Sequence, residues 1–432
     1  MISRKQWLEL EFFLANWHGL SWLTLGSLLA AGCSFLLQVA LASLLTPGVF
    51  GHWAAVWTAL TLGALLAGWG AGGYWLKLLA RAQADKDSLK LPLELFVSLS
   101  WMLAALVIAC GLWLAWAFFS GAGQALGWPV IWLVLLSLPL QLVIELTSAR
   151  LQWCEAFFRL ALWQLLASAL RLFCVGVLLL LGVSNPEYLA AAYAGVALLL
   201  LPLGLFWLWQ PPISQAGWVA GAGVSLAKAL REFLQESTPF ALAGVLYLLY
   251  FQGGVLGVHQ LAGASAAGLY QVALVVMSGI YLLPAIVVHK FMLPRLHRWA
   301  YSDEQRLLSW YQNTGYWLLA AGIALCVALL LLAPLLVKLL FGEAYDGSIL
   351  LLMILALGVP LRFLTLASGA VLMTGKRMPT KARLLGAAWG VQLCLLLLLV
   401  PGLGAAGAAF ALLGSDLVLF ALHRQAVKKL LG

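Results

Sequence analysis

The chain has 432 residues, of which 64% are hydrophobic and only 9% are charged. This composition excludes a water-soluble globular domain of that length, since such domains carry about 25% charged residues. The six cysteines are scattered without a paired motif, so neither a disulfide framework nor a metal site is expected, and no cofactor is indicated. The sequence therefore indicates a polytopic membrane protein.

Apolar runs follow one another along almost the whole chain. About 20 helical residues at 1.5 Å per residue cross the roughly 30 Å of hydrocarbon in a bilayer. Twelve such runs are predicted, at 20–44, 49–76, 93–119, 129–149, 160–181, 188–209, 238–258, 266–289, 313–340, 349–374, 384–400 and 406–422. The predicted fold class is therefore all-α, with about twelve transmembrane helices.

The basic residues indicate the orientation of these helices. Of the 24 lysines and arginines, all except Arg171, Lys338 and Arg362 fall in alternate connections or at the two ends of the chain. Cytoplasmic loops carry such an excess, so both termini are predicted to be cytoplasmic. The net charge of +9 is thus explained by membrane topology, and no nucleic acid is expected as a partner.

An internal repeat divides the chain into two halves. The segment LSLPLQLVIELTSARLQ (136–152) matches ALGVPLRFLTLASGAVL (356–372) when Pro139 is aligned with Pro360. Six spans per half give a parallel repeat, related by an axis along the membrane normal. The predicted organisation is a cytoplasmic amphipathic segment (1–19), a first six-helix lobe (20–209), a cytoplasmic linker (210–237), a second six-helix lobe (238–422) and a basic cytoplasmic tail (423–432).

Two arginines lie deep within predicted spans. Arg171 and Arg362 are each about ten or more residues from either end of their spans, which places them roughly 15 Å from either membrane surface. A charge at that depth costs about 2.5 kcal/mol or more and normally faces a polar interior. Because guanidinium groups bind phosphate and carboxylate with paired hydrogen bonds, both arginines are candidate substrate contacts. The alternative is a structural role, with each arginine held by a carboxylate or by backbone carbonyls.

Other polar residues in the spans are further candidates. Glu145 and Asp416 are candidate proton or ion carriers, or else static partners of the arginines. Gln38 and Gln252 can bind sugar hydroxyls or join helices, and Lys338 can attract anions at the outer end or reach the lipid headgroups. The aligned prolines Pro139 and Pro360 are candidate hinges or fixed kinks.

Several segments resemble a known transporter family. They are LLTPGVFGHWAAVWTALTLGALLAGWGAGGYWLKLLA, TPFALAGVLYLLYFQGGVLGVHQLAGASAAGLYQVA, LPAIVVHKFMLPRL, LLFGEAYDGSILLLMILALG, LMTGKRM and PGLGAAGAAFALLGSDLVL. They resemble the bacterial lipid-linked oligosaccharide flippases, in the polysaccharide transporter branch of the multidrug and oligosaccharidyl-lipid exporter superfamily. The resemblance covers nearly the whole chain.

The resemblance implies a V of two six-helix lobes with alternating access to a central cavity. The implied substrate is an undecaprenyl-pyrophosphate-linked oligosaccharide for O-antigen, capsule or exopolysaccharide assembly, moved from the cytoplasmic to the periplasmic leaflet of the bacterial inner membrane. Membrane lipids and the glycan polymerase of the same pathway are the implied partners, and a monomer is expected. In the seventh span many members have an Asp where this chain has Gln252, which shifts candidate ion coupling to Glu145 or Asp416.

Two alternative functions remain, one in the same superfamily and one in another class of protein. A cation-coupled drug exporter of the same superfamily predicts an anionic cavity, whereas two of the deep charges here are arginines. A membrane-embedded enzyme of glycan assembly needs clustered histidines or carboxylates at the outer face, where Glu187, Glu343 and Asp346 are widely separated in sequence. The flippase is therefore the leading hypothesis, and the chain is not expected to be an enzyme.

Overall fold

The computed structural model of the chain is helical wherever it forms regular structure. It describes residues 4–85, 91–210, 226–286, 304–373 and 378–431, together with Val288, Met292, Leu296 and Trp299. The N-terminal half contains α1 (Arg4–Leu44), α2 (Pro47–Gly68), α3 (Ala71–Asp85), α4 (Leu91–Phe119), α5 (Ala122–Leu126), α6 (Trp128–Leu135), α7 (Ser137–Trp153), α8 (Phe157–Leu180) and α9 (Pro186–Leu208). The C-terminal half contains α10 (Leu226–Ala262), α11 (Ala264–Ile286), α12 (Glu304–Phe341), α13 (Ser348–Ala356), α14 (Val359–Leu372), α15 (Met378–Leu403) and α16 (Ala405–Leu431).

The predicted all-α membrane fold is confirmed. Among the described residues, 11 helical segments are long and apolar enough to cross a membrane, and α13 and α14 together form a further span bent by 48°. The total of 11 or 12 agrees with the twelve predicted spans. Helices are expected here because a lipid environment offers no partner for an unpaired backbone group.

Parts of the predicted organisation lie outside the described residues. These parts are residues 1–3 of the N-terminal segment, most of the predicted linker (211–225), the connection at 374–377 and Gly432. Residues from Arg4 onwards belong to α1, which continues without a break into the first predicted span. The division into two lobes stays a prediction.

Two spans are interrupted three residues before the aligned prolines. The α6–α7 break lies at Leu136, whose amide donates to Leu133 O at 3.3 Å, and the α13–α14 break begins at Leu357, whose amide donates to Ile354 O at 3.3 Å. Proline cannot donate a backbone hydrogen bond, and its ring clashes with the carbonyl four residues earlier. Pro139 and Pro360 therefore explain why both helices are interrupted at matching positions, whereas their movement as hinges stays a prediction.

A third break divides the second predicted span, which was expected to be one helix over 49–76. Trp69 has φ 40° and Gly70 has φ 69°, so the chain leaves the helical conformation between α2 and α3. At Gly70 a Cβ atom would lie 2.6 Å from the backbone nitrogen of Ala241, so the close approach of α10 also requires glycine there. The break is a local feature that the hydropathy of the span does not reveal.

The two halves meet closely where α2 crosses α11. A Cβ atom on Gly51 would lie 1.8 Å from Ala264 O, and one on Gly268 would lie 2.0 Å from Pro47 O. Each glycine is therefore four residues into its helix and contacts the first residue of the other, which gives a symmetric backbone contact. Nearby, Tyr345 donates from its hydroxyl to Leu45 O at 2.9 Å. The glycine contact and the Tyr345 hydrogen bond therefore join the two halves at the ends that are predicted to face outwards.

We expect Gly268→Ala to destabilise the fold by about 1–3 kcal/mol, because the added methyl group must push α2 away from α11. Thermal unfolding of the detergent-solubilised protein measures the effect. The matched control is Gly195→Ala on α9, since a Cβ there has no atom within 4 Å. The control also corrects for the higher helix propensity of alanine. Equal melting temperatures of the two variants would contradict the proposed close contact.

Candidate functional site

A buried ion pair lies at the centre of the C-terminal half. Arg362 is in the first turn of α14, directly after the bend, and its Nε lies 2.9 Å from Asp416 Oδ1 on α16. The Tyr250 hydroxyl donates to the same carboxylate oxygen. The side chains of Arg362 and Asp416 are only 14% and 5% exposed. The structure therefore brings one predicted cation together with one predicted carboxylate.

Aromatic rings enclose the remaining surface of the Arg362 guanidinium. Its Cζ lies 4.7 Å from the centre of the Tyr250 ring, 5.4 Å from that of Phe251 and 5.5 Å from that of Tyr281. Such cation–π contacts stabilise a charge that has been removed from water. The guanidinium Nη2 has no hydrogen-bond partner among the described residues, so donor capacity remains on Arg362.

Arg362 lines a cavity of about 460 Å³, which we call the Arg362 cavity. It lies between α10, α11, α14, α15 and α16, and its other lining residues include Tyr247, Tyr281, Lys381 and His423. With Tyr250, which also lines it, three tyrosines and three potential cations therefore surround one space. Donors of this kind suit phosphate, carboxylate and sugar hydroxyl groups.

A larger cavity of about 830 Å³ lies beside it, between α1, α10, α11 and α12, and we call it the glutamine cavity. Gln38 and Gln252, the predicted polar pair, both line it, together with Gln271. Phe251 and Ser278 line both cavities, so the two spaces are neighbours. Sequence reasoning missed Gln271, because a single amide in an apolar span gave no sign of the face on which it lies.

Arg171 has different surroundings from Arg362. It is 8% exposed, and its Cζ lies 4.8 Å from the centre of the Trp57 ring and 5.1 Å from that of Tyr193. Its Nε and Nη2 have no hydrogen-bond partner among the described residues. Arg171 lines neither the Arg362 cavity, nor the glutamine cavity, nor a third, apolar cavity of about 380 Å³ between α2, α4 and α10. The two deep arginines therefore share none of these three spaces.

The other carboxylate candidate, Glu145, lies at the break between α2 and α3. Its Oε1 accepts from the backbone N–H of Gly72 at 3.3 Å, in the first turn of α3. A Cβ atom on Gly68 would lie 3.0 Å from Glu145 Oε2, so the carboxylate occupies the space beside the break. A negative charge is favourable at a helix N-terminus, where backbone N–H groups lack partners. Glu145 thus stabilises the interruption of the second span.

Lys338 lies near the end of α12 that is predicted to face outwards. Its Nζ is 3.6 Å from Asp346 Oδ2, and both side chains are about half exposed, at 51% and 46%. The Lys338 charge therefore already has a nearby partner. The structure gives it no contact with the Arg362 or glutamine cavity.

A histidine pair joins the two halves and was not predicted. His259 Nε2 on α10 lies 2.9 Å from His52 Nδ1 on α2, and the Trp116 ring packs against His259. Two single histidines in separate apolar runs carry no sequence signal that they meet. Among the described residues there is no group of three or more His, Cys, Asp or Glu side chains that could hold a metal ion.

The sequence pattern of a known family matches most of this chain. The family is described as "Polysaccharide biosynthesis protein", and the match covers residues 16–297. The chain belongs to this family. A comparison with curated protein sequences finds no match. This match confirms the resemblance, noted from the sequence, to the polysaccharide transporter branch of the multidrug and oligosaccharidyl-lipid exporter superfamily.

Solved transporter structures share the fold of this polysaccharide biosynthesis protein. An inward-facing multidrug resistance MATE family transporter of the MOP superfamily superposes with a TM-score of 0.70 at 15% identity, covering 93% of this chain and 95% of that chain. The lipid II flippase MurJ in an inward closed conformation gives 0.67 at 12% identity, covering 94% and 87%. An outward-facing MATE family transporter gives 0.57 at 14% identity, covering 96% and 95%. The chain therefore has the fold of the MOP-superfamily transporters and is a multi-pass membrane protein.

We expect Asp416→Asn to lower the stability of the protein by about 3–5 kcal/mol, because it leaves Arg362 buried without its counter-ion. Thermal unfolding in detergent measures the loss. The control is Asp346→Asn, which removes the partner of Lys338 in an exposed pair and is expected to cost about 1 kcal/mol or less.

The double variant Arg362→Met with Asp416→Leu tests the same pair from the other side. It removes both buried charges, so we expect it to be more stable than Asp416→Asn alone. If the double variant is less stable than Asp416→Asn, the ion pair must stabilise the fold by more than the cancellation of two buried charges.

Proposed function

We propose that this chain is a flippase for undecaprenyl-pyrophosphate-linked oligosaccharide, moving it from the cytoplasmic to the periplasmic leaflet of the bacterial inner membrane for O-antigen, capsule or exopolysaccharide assembly. The observation that carries this proposal is the Arg362 cavity. Arg362 supplies a permanently charged guanidinium to the lining of a space inside the membrane-spanning part of the chain, and its buried Nη2 has no hydrogen-bond partner among the described residues. That is the chemistry needed to bind a diphosphate or an acidic sugar away from water.

The glutamine cavity supports a glycan as the transported group. Gln38, Gln252 and Gln271 supply amide donors and acceptors on three different helices around one space. Sugar hydroxyls both donate and accept hydrogen bonds, so amides are suitable partners for them. The diphosphate would lie at Arg362 and the adjoining sugars in the glutamine cavity, while the polyprenyl tail stays in the lipid.

Alternating access supplies the proposed mechanism. The symmetric contact of Gly51 and Gly268 joins the halves at the end that is predicted to face outwards, and Lys381, which lines the Arg362 cavity, is one of the basic residues that predict a cytoplasmic connection. This arrangement corresponds to loading from the inside. Separation of α2 from α11, with bending at Pro139 and Pro360, would open the outer end.

Asp416 is the proposed coupling group. It binds Arg362 in the structure, so a proton or cation that takes the carboxylate would release the guanidinium for the substrate. Glu145 is less suited to coupling, because it is engaged at the start of α3. Undecaprenyl-linked glycan and membrane lipids are the proposed partners, the glycan polymerase of the pathway is a further candidate, and the chain is proposed to act as a monomer with both termini cytoplasmic.

A drug exporter is disfavoured by the charges around the cavity. A site for cationic drugs needs an accessible carboxylate, whereas Asp416 is covered by Arg362 and Tyr250, and Lys381 adds a further positive charge. The described residues contain no cluster of histidines and carboxylates at the outer end that favours an enzyme of glycan assembly. The flippase remains the best supported function.

Complementation of a strain that lacks its O-unit flippase tests the proposal. At matched membrane abundance, wild type is expected to restore surface glycan, and Arg362→Ala is expected to leave lipid-linked intermediate on the cytoplasmic side. Arg171→Ala is expected to retain flipping if its abundance is matched, because Arg171 lines none of the three cavities. The control is Arg159→Ala, which removes an exposed arginine outside the cavities.

Normal surface glycan with Arg362→Ala would refute the role of Arg362 in substrate binding. Loss of flipping in Arg171→Ala, with Arg159→Ala active, would instead move the substrate path towards Trp57 and Tyr193.

A further inference from the structure

The inner part of the Arg362 cavity contains a buried histidine with one free ring nitrogen. His423 on α16 is 3% exposed and lines the cavity. Its Nδ1 lies 3.2 Å from Ser368 Oγ on α14, whereas its Nε2 has no hydrogen-bond partner among the described residues. Buried polar atoms in proteins are normally paired, so the unpaired Nε2 of a residue that lines a cavity is a candidate ligand contact.

Lys381 lines the same cavity from α15. The structure gives it no carboxylate partner among the described residues. An anion bound between such an ammonium group and a buried histidine would stabilise both. In the sequence analysis, Lys381 is only one of the basic residues that predict which connections face the cytoplasm.

Gly369 brings these two groups to one place. A Cβ atom on Gly369 would lie 3.6 Å from His423 Cε1 and 3.8 Å from Lys381 Nζ. The imidazole and the ammonium therefore approach the same side of α14, at a position that has no side chain. Both groups therefore border the space beside Gly369.

This group is separate from Arg362. Gly369 follows Arg362 by seven residues on α14, which corresponds to about 10 Å along the helix axis. Lys381 and His423 thus meet at a different turn of α14 from the one that carries Arg362, although all three residues line one cavity.

We propose that Lys381, His423 and the bare backbone at Gly369 form a second anion site, which takes the phosphate or diphosphate headgroup of a polyprenyl-linked substrate before that group reaches Arg362. Lys381 supplies a compact positive charge. His423 supplies Nε2–H as a donor, either when Ser368 donates to Nδ1 or when the ring is protonated. The identity of the substrate rests on the proposed function, whereas the anion site rests on the geometry alone.

Calorimetry with the purified full chain in phosphatidylcholine nanodiscs tests the site. The probes are farnesyl diphosphate, inorganic pyrophosphate and farnesol. We expect Lys381→Met to weaken farnesyl diphosphate at least tenfold and to leave farnesol unchanged. The matched control is Arg383→Met, which removes the same charge from an exposed position on the same helix. Melting temperatures of the variants establish that each is folded.

Gly369→Val provides a variant that leaves every charge in place. Its branched side chain would fill the space between Lys381 and His423, so we expect it to weaken diphosphate binding as Lys381→Met does. Lys381→Arg is expected to retain most of the affinity. Tighter binding of farnesyl diphosphate than of pyrophosphate identifies a lipid-linked ligand, whereas equal affinity identifies a site for free phosphate groups and removes the polyprenyl part of the proposal.

The outcomes separate this site from the proposed function. Equal farnesyl diphosphate affinity of wild type, Lys381→Met and Arg383→Met would overturn the site, whatever the complementation shows. Selective loss in Lys381→Met supports the site even if wild type fails to restore surface glycan, in which case only the assigned glycan is wrong. No binding of any diphosphate to wild type would overturn the site as well.

Discussion

The packing of the C-terminal half depends on how the charge of Arg362 is neutralised inside the membrane-spanning part of the chain. A guanidinium at that depth is costly to transfer from water, so groups that offset its charge stabilise it. Asp416 supplies the counter-charge from α16 and Tyr250 fixes the carboxylate from α10, so three helices meet at Arg362 on α14. Bending of the span before Val359 turns the first residues of α14 towards this point. The ion pair, the bend and the cavity are therefore parts of one arrangement.

Interrupted helices in a membrane require internal partners for their free backbone groups. Glu145 supplies one at the break after Trp69, by accepting from the amide of Gly72. At Leu136 and Leu357 the chain instead tightens into hydrogen bonds to the third preceding residue, as helices often do at their ends. Such breaks are tolerated at membrane depth where protein surrounds them. Each one redirects a span and so helps to shape the space between the helices.

The sequence was sufficient for features that depend on local chemistry. Span number follows from the length of the apolar runs, and the breaks before Pro139 and Pro360 follow from the missing proline amide. Contact with sugar hydroxyls in a cavity was one of the two roles left open for Gln38 and Gln252, and both residues line the glutamine cavity. The sequence named Glu145 and Asp416 as possible partners of the arginines, but it could not show which groups meet, because uniformly apolar spans carry no amphipathic pattern that fixes their rotation.

The two proposed anion-binding positions differ in a way that would favour transport over storage. The charge of Arg362 is already offset by Asp416, so long-range attraction of an anion falls mainly to Lys381, which has no described carboxylate partner. An anion that moves on to Arg362 takes the place of the Asp416 carboxylate as counter-ion, and that carboxylate can later displace the anion again. A pathway must bind its substrate strongly enough to admit it and weakly enough to release it. A guanidinium with a permanent competitor beside it meets both conditions, whereas an unpaired arginine would hold a diphosphate too firmly.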